Sequence, residues 1–369
     1  MTAFMFHAPA SEVAGPTRGT SAAAVEGSPD AYKLAPGSLS VQTAKFEIHD
    51  DARGKDLPLL AYAPTAGGPY PLVVFSHGAG GSRDVAPQLL SQWASHGYVV
   101  IAPSHADSVQ LQAMQRLEQA DQSVHPMDGI LRSFATDPQV RIGRVDDIRL
   151  IVDKIDELPQ LAPILAGRID ASHIGLGGHS AGAMTASLVG GATVDMGING
   201  VGGEEAHSFR DERFDAVLLL SGQGMTGPGG GFHKHSWESM TLPVMVQTGS
   251  YDNSPRTRQT STSRRHPYEY ALQGDKYLVY IEGALHMSFT GRAANAEPGL
   301  SARWLERYLG TPGIDVALEY DQHAIFDYVI ASTTAFWDAH LKDDAEAKEW
   351  LQSDKLATLS QGQVEFLRK

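Results

Sequence analysis

From Val41 onward, short apolar runs that end in glycine or a polar turn alternate with helix-compatible stretches, and this alternation predicts the architecture. VQTAKFEIHD and LPLLAYAP, separated by Gly54 and closed by the turn cluster Pro64 to Pro71, read as an antiparallel pair at a sheet edge. PLVVFSHG and YVVIAPSH are continuous apolar runs of the kind buried on both faces, and the helical stretch APQLLSQWASHG between them completes a βαβ unit. RVDDIRLIVDKIDEL then places Val145, Ile148, Ile151, Val152, Ile155 and Leu158 on one stripe and leads into the run HIGLGGHS. FDAVLLLSG, LPVMVQTGS and KYLVYIEGA are three further buried runs. This order predicts the α/β class, with a mostly parallel sheet and helices on both faces. DYVIASTTAFWDAHLK, with Tyr328, Ala331, Ala335, Phe336 and Leu341 on one face, predicts a final amphipathic helix.

Residues 1–40 are rich in small residues and proline without an apolar period, and predict a flexible leader ahead of one domain, 41–369. Neither a repeat nor a composition break calls for a second domain. Two insertions, 107–143 and 222–240, interrupt the pattern, the second beginning with a glycine-rich loop. In an open parallel sheet both emerge at the C-terminal strand edge, where ligands bind.

Composition narrows the function. In 369 residues, 42% hydrophobic and 20% charged, there is material for a large buried core. The excess of 43 Asp and Glu over 29 Lys and Arg, a formal charge of -14, disfavours nucleic acid and anionic lipid as partners. The absence of cysteine removes disulfides, thiolate metal sites and a cysteine nucleophile together. No stretch has the length of a membrane span, and the N-terminus lacks the charged and apolar regions of an export signal. The chain therefore reads as cytoplasmic, although removal of a signal would leave the same sequence. Oligomeric state is not legible.

The chemistry centres on Gly178-His179-Ser180-Ala181-Gly182, a G-x-S-x-G pentapeptide between a predicted strand and a predicted helix. In that setting the small flanking residues permit a sharp turn that holds the serine hydroxyl clear of the sheet. Ser180 is the expected nucleophile. It needs a base oriented by a carboxylate, in the chain order Ser, Asp, His. Asp252, just past the run VMVQTGS, and His286, just past YLVYIEGA, each stand at a strand's C-terminal end and are the expected partners. Asp215 and Asp275 precede their strands and would sit at the wrong end. Backbone donors for an oxyanion are expected from Ala181 and from the loop SHGAGG, with Ala79 as the second donor and Gly78 as its alternative. Phe232 and Trp237, beside the glycine-rich loop, are expected to line the substrate site. The histidines of His233-Lys234-His235 read as surface or pocket residues and not as ligands, and no metal or cofactor is expected.

The stretches SHGAGGSRD, SHGYVVIAPSHADS, GLGGHSAGA, TGSYDNSP and GALHMSF, in this order, resemble the α/β-hydrolase superfamily, and within it esterases related to platelet-activating-factor acetylhydrolase and the dienelactone-hydrolase-like group. The resemblance runs from about Val41 to the end. It implies a sheet of about eight strands and hydrolysis of a small-molecule carboxylic ester by the triad Ser180, Asp252 and His286. Dienelactone hydrolases themselves use a cysteine, which this chain lacks, and the two insertions depart from the compact cutinase pattern. The same triad would serve a thioesterase or lactonase. From a different class, a ligand-binding protein on the same fold is the competing reading.

Overall fold

The computed structural model describes residues 28, 30–112, 129–133, 137–195, 206–225, 231–294, 307 and 309–369. Most of the leader, and the stretches 113–128, 134–136 and 226–230 of the two insertions, lie outside the described residues.

Ten-residue strands β1 (Val41–Asp50) and β2 (Lys55–Pro64) form the expected antiparallel edge pair. The chain continues through β3 (Tyr70–Ser76), helix α1 (Pro87–Ser95), β4 (Val99–Pro103), helix α2 (Pro138–Asp153), β5 (Ile169–His179) and helix α3 (Ala181–Val189). Two-residue strands β6 (Thr193–Val194) and β7 (His207–Ser208) make a separate ribbon. β8 (Ala216–Leu220), β9 (Val244–Tyr251) and β10 (Lys276–Leu285) follow, then helices α4 (Gln322–Leu341) and α5 (Ala345–Gln352) and strand β11 (Val364–Arg368). The sheet has nine strands in the order β1-β2-β4-β3-β5-β8-β9-β10-β11. It is parallel from β4 to β10 and antiparallel at both edges. The strand beyond the expected eight is β11, a short run after the last helices with too little apolar pattern to announce itself.

Alternation along each strand feeds two apolar layers. Val73 and Phe75 of β3 face Leu89, Leu90 and Trp93 of α1 and Val329, Phe336 and Trp337 of α4. Leu72 and Val74 face the opposite layer, with Val145, Ile148 and Ile151 of α2 and Ala183 and Leu188 of α3. Asp137 caps α2, its side chain accepting from Gln139 N, and Pro138 starts the helix where no N–H is needed.

Two expectations change. α4 is not amphipathic: every residue except His323, Asp327 and His340 is buried. Ser332 and Thr333 are accommodated by the bonds Trp93 Nε1 to Thr333 Oγ1 (3.1 Å) and Gln247 Nε2 to Ser332 Oγ (3.0 Å). The end of the supposed leader is part of the core. Tyr32 and Leu34 are buried, and Gln92 of α1 donates to the carbonyls of Lys33, Leu34 and Ala35. The buried carboxylate of Asp338 on α4 collects Tyr32 Oη (3.0 Å), Lys33 Nζ (2.5 Å), Tyr98 Oη (2.7 Å) and Lys342 Nζ (2.8 Å). No helix among the described residues is long and apolar enough to cross a membrane.

Candidate active site

Five chain segments meet at the C-terminal ends of the parallel strands. Ser180 sits between β5 and α3 with φ 55° and ψ −118°, a conformation that costs energy for a residue with a Cβ and that surrounding structure must enforce. Its N–H donates to Leu220 O at 2.9 Å and its carbonyl accepts from Met184 N at 3.1 Å, so both sides of the turn are pinned. The flanking glycines are steric necessities. A methyl on Gly182 would overlap the Ser76 carbonyl at the end of β3, and one on Gly178 would overlap the Gly182 carbonyl. At Gly178 and Gly182 helix and strand backbones thus approach more closely than a side chain would permit.

β9 and β10 are parallel neighbours, so the residues that leave their ends stand side by side. Asp252 follows β9, His286 follows β10, and His286 Nδ1 lies 2.9 Å from Asp252 Oδ1. The hydroxyl of Ser221, just past β8, donates to the same Oδ1 at 2.9 Å and lies 2.6 Å from Nδ1. Ser221, His286 and Asp252 therefore form a triad-like network. Thr248 Oγ1 donates to Asp252 Oδ2 at 3.0 Å, and Arg264 Nε approaches Oδ1 at 2.9 Å. Burial alone would push the Asp252 carboxyl up. The Arg264 guanidinium, then His286 and Ser221, act more strongly in the other direction and hold it well below the usual carboxylate range. Arg264 also donates to the carbonyls of Asp252, Ser221 and Gly222 at 3.0, 2.7 and 2.9 Å, tying the ends of β8 and β9 together.

His179, between Gly178 and Ser180, sends Nε2 to the His286 carbonyl at 2.8 Å. Burial first, and the neighbouring His286 second, lower its pKa to about 3, so it is a neutral donor there. A cavity of about 280 Å³ opens beside these groups, bordered by Ser180, His286, the loop 78–81 and the apolar side chains of Val85, Leu131, Met287 and Leu309. Ser221, with no exposure, is not part of its wall.

The loop after β3 is a tight turn: Gly81 N donates to Gly78 O at 2.9 Å, and Gly80 has φ 73°, the sign a type II turn needs at its third position. Among the described residues, the N–H groups of Gly78 and Ala79 have no protein acceptor. Ala181 N–H is the first amide of α3, where helical geometry supplies no acceptor either.

The structure thus brings Ser180, Asp252, His286, Ala79, Gly78 and Ala181 to one place. It does not bring Phe232 or Trp237 there. Both are buried in the layer beneath α3, their rings 5.0 Å apart, with Trp237 stacked on Tyr270, so they are core and not pocket wall. Asp215 is at the entry of β8, its carboxylate accepting from Ile174 N at 2.8 Å. The pattern of apolar runs failed to single out Ser221 and Arg264. Ser221 could have been found by the strand-end rule that located Asp252 and His286, since it directly follows AVLLL; Arg264 lies in a polar turn with no such signal.

Comparison with known proteins returns a partial sequence likeness and a broad structural one. Residues 30–141 match the model of the chlorophyllase family, a stretch that includes the loop after β3 and stops short of Ser180. The described fold matches a ferulic acid esterase from Streptomyces cinnamoneus at 19% identity and a TM-score of 0.55, covering 92% of this chain and 100% of that one. The fold is the α/β-hydrolase fold. No curated protein matches the sequence. The narrower acetylhydrolase and dienelactone-hydrolase-like groups are not among these likenesses.

Proposed function

We propose that this protein is a serine-dependent carboxylic ester hydrolase in which Ser180 is the nucleophile, His286 the base and Asp252 the group that orients it. The observation that carries the reading is that Ser180 and His286 border the same cavity while His286 keeps its other face on a buried carboxylate. A serine hydroxyl needs a base to take its proton, and the base needs a fixed tautomer. Asp252 and Ser221 both engage Nδ1, which leaves Nε2 for proton transfer. A serine that meets the imidazole at Nδ1 and has no access to the cavity is poorly placed to attack a substrate. Ser221 is therefore read as a support for Asp252.

In the proposed reaction, Ser180 Oγ attacks the ester carbonyl as His286 takes its proton. The N–H groups of Ala79 and Ala181 receive the developing oxyanion, with Gly78 N–H beside them. His286 returns the proton to the leaving alcohol, and water, activated by the same imidazole, releases the acyl group. The two likenesses, a chlorophyllase family and a ferulic acid esterase, both bear the names of ester-cleaving enzymes and support this class. The cavity size favours a small or medium acyl group over a polymer.

The test is hydrolysis of p-nitrophenyl esters from acetyl to long-chain, with thioester and lactone substrates alongside, by the intact protein, Ser180→Ala and Ser221→Ala. Turnover by the intact protein, background rates for Ser180→Ala and a smaller loss for Ser221→Ala are expected, with a fluorophosphonate probe attached at Ser180. An inactive Ser221→Ala beside an active Ser180→Ala would move the nucleophile to Ser221. An intact protein that neither turns over an ester nor takes the probe would favour the ligand-binding reading.

A further inference from the structure

Behind the loop that follows β3 lies a charged pair with almost no exposure. Arg144, on the first turns of α2, donates Nε and Nη2 to the two carboxylate oxygens of Asp107 at 3.0 and 2.8 Å, a bidentate match. The same guanidinium donates Nη1 to the His77 carbonyl at 2.7 Å and Nη2 to the Gly78 carbonyl at 3.3 Å. Two successive carbonyls of the loop are thus drawn to one side. Gly81 N and His77 Nδ1, the latter 2.6 Å away, bind the Gly78 carbonyl as well. His77 Nε2 accepts from His105 N at 3.0 Å, which leaves the ring proton on Nδ1 as the donor.

A trans peptide points its carbonyl and the following N–H in opposite directions. Fixing the carbonyls of His77 and Gly78 on the Arg144 side therefore turns the N–H groups of Gly78 and Ala79 to the other side. Among the described residues neither of these amides has a protein acceptor, and Ser180 is their neighbour: a Cβ on Gly78 would lie 3.3 Å from Ser180 Cβ. Asp107 reaches the loop directly, accepting from Gly80 N at 3.4 Å, and Val109 N donates to Gly80 O at 3.1 Å.

We propose that Arg144, held by Asp107, is a positioning residue that orients the peptides of the loop 77–81 so that Ala79 N–H faces the reacting carbonyl. The role rests on the reading of Ser180 as nucleophile. Asp107 opens the first insertion and Arg144 directly follows it, so the same ion pair joins the chain on either side of that insertion.

The test uses the full chain with Arg144→Lys, which keeps a charge but not the fork, and Asp107→Asn, which keeps the guanidinium but weakens its anchor. Hydrogen exchange is followed at Gly80, Gly81 and Val109, the amides this arrangement protects, and ester kinetics are measured on the same samples. Expected are exchange at these amides faster by about tenfold or more with β5 and α3 unchanged, and kcat lower by about ten- to a hundredfold with KM within about twofold. The ratio of ester to thionoester turnover should fall as well, because a displaced N–H no longer discriminates oxygen from sulfur. Unchanged exchange in the loop overturns the brace even if no ester is turned over, the outcome that would sink the Ser180 reading instead. A loosened loop with unchanged kcat, or a loss confined to KM, overturns its catalytic purpose.

Discussion

At the scale of single residues, the site is a set of polar groups whose partners are nearly all spoken for. Asp252 receives His286, Ser221, Thr248 and Arg264, and the last of these is the least replaceable, since it is a buried cation whose charge keeps the carboxyl ionised. With Arg264→Met the Asp252 pKa should rise, so protonation would begin at higher pH as pH falls. The Asp252 carboxyl, followed by its NMR signal, should then titrate at higher pH than in the intact protein, and the kcat/KM plateau should drop by about tenfold or more; an unmoved carboxyl titration would deny Arg264 this role. The elbow was legible in the sequence because its glycines are demanded by local sterics, and the candidate partners because strand ends announce themselves through apolar runs. Arg144 carried a fainter signal, a charge four positions before Ile148 on the stripe of α2. Trp237 packs in the core, a choice the sequence leaves open because an aromatic residue beside a glycine-rich loop does not declare which side of the loop it packs against.

Among elements, the least expected coupling is between the residues before β1 and helix α4. Tyr32 and Lys33 meet Asp338 in a buried cluster with Tyr98 and Lys342. Burial alone would raise the Asp338 carboxyl, and the cations of Lys342 and Lys33 hold it low instead. Removing the carboxylate would strand buried donors, so Asp338→Ala should cost about 3–5 kcal/mol, measured by urea unfolding. Deleting residues 1–36 should also destabilise the protein, by about 1.5–3 kcal/mol for each buried apolar side chain lost, whereas a deletion ending at residue 27 removes none of Tyr32, Lys33 and Leu34. If the two deletions melt alike, the packing seen here contributes nothing. Composition concealed this, because two anchoring side chains in a run of small residues leave no periodic trace. The extensive burial of α4 was hidden similarly: the run Ser332-Thr333-Thr334 reads as an exposed face, but Ser332 and Thr333 bond to the helix backbone and to side chains across the layer.

For the molecule as a whole, the titration of buried and half-buried histidines lowers stability as pH falls. Burial lowers the pKa of His340 to about 4, and burial together with His286 lowers that of His179 to about 3; burial shifts His77 and His105 downward too. In the unfolded chain these groups return to about 6.5. Between about pH 6.5 and 4 the unfolded state therefore binds more protons, and stability falls as pH falls, by up to about 1.4 kcal/mol per unit for each group. His340 packs against the rings of Tyr277 and Phe336, and among the described residues its Nε2 has no partner, so His340→Phe is the mild probe. Its urea midpoint should decline less steeply between pH 7 and 4.5 than that of the intact protein; parallel declines would remove His340 from the account. The order of the strands carries a last consequence. β11 pairs along the outer side of β10, the strand that delivers His286, from Tyr277 opposite Arg368 to Ile281 opposite Val364. Without those five residues, β10 would present an open row of amides and carbonyls to other molecules, and self-association through that edge would begin at the strand that leads into the proposed base.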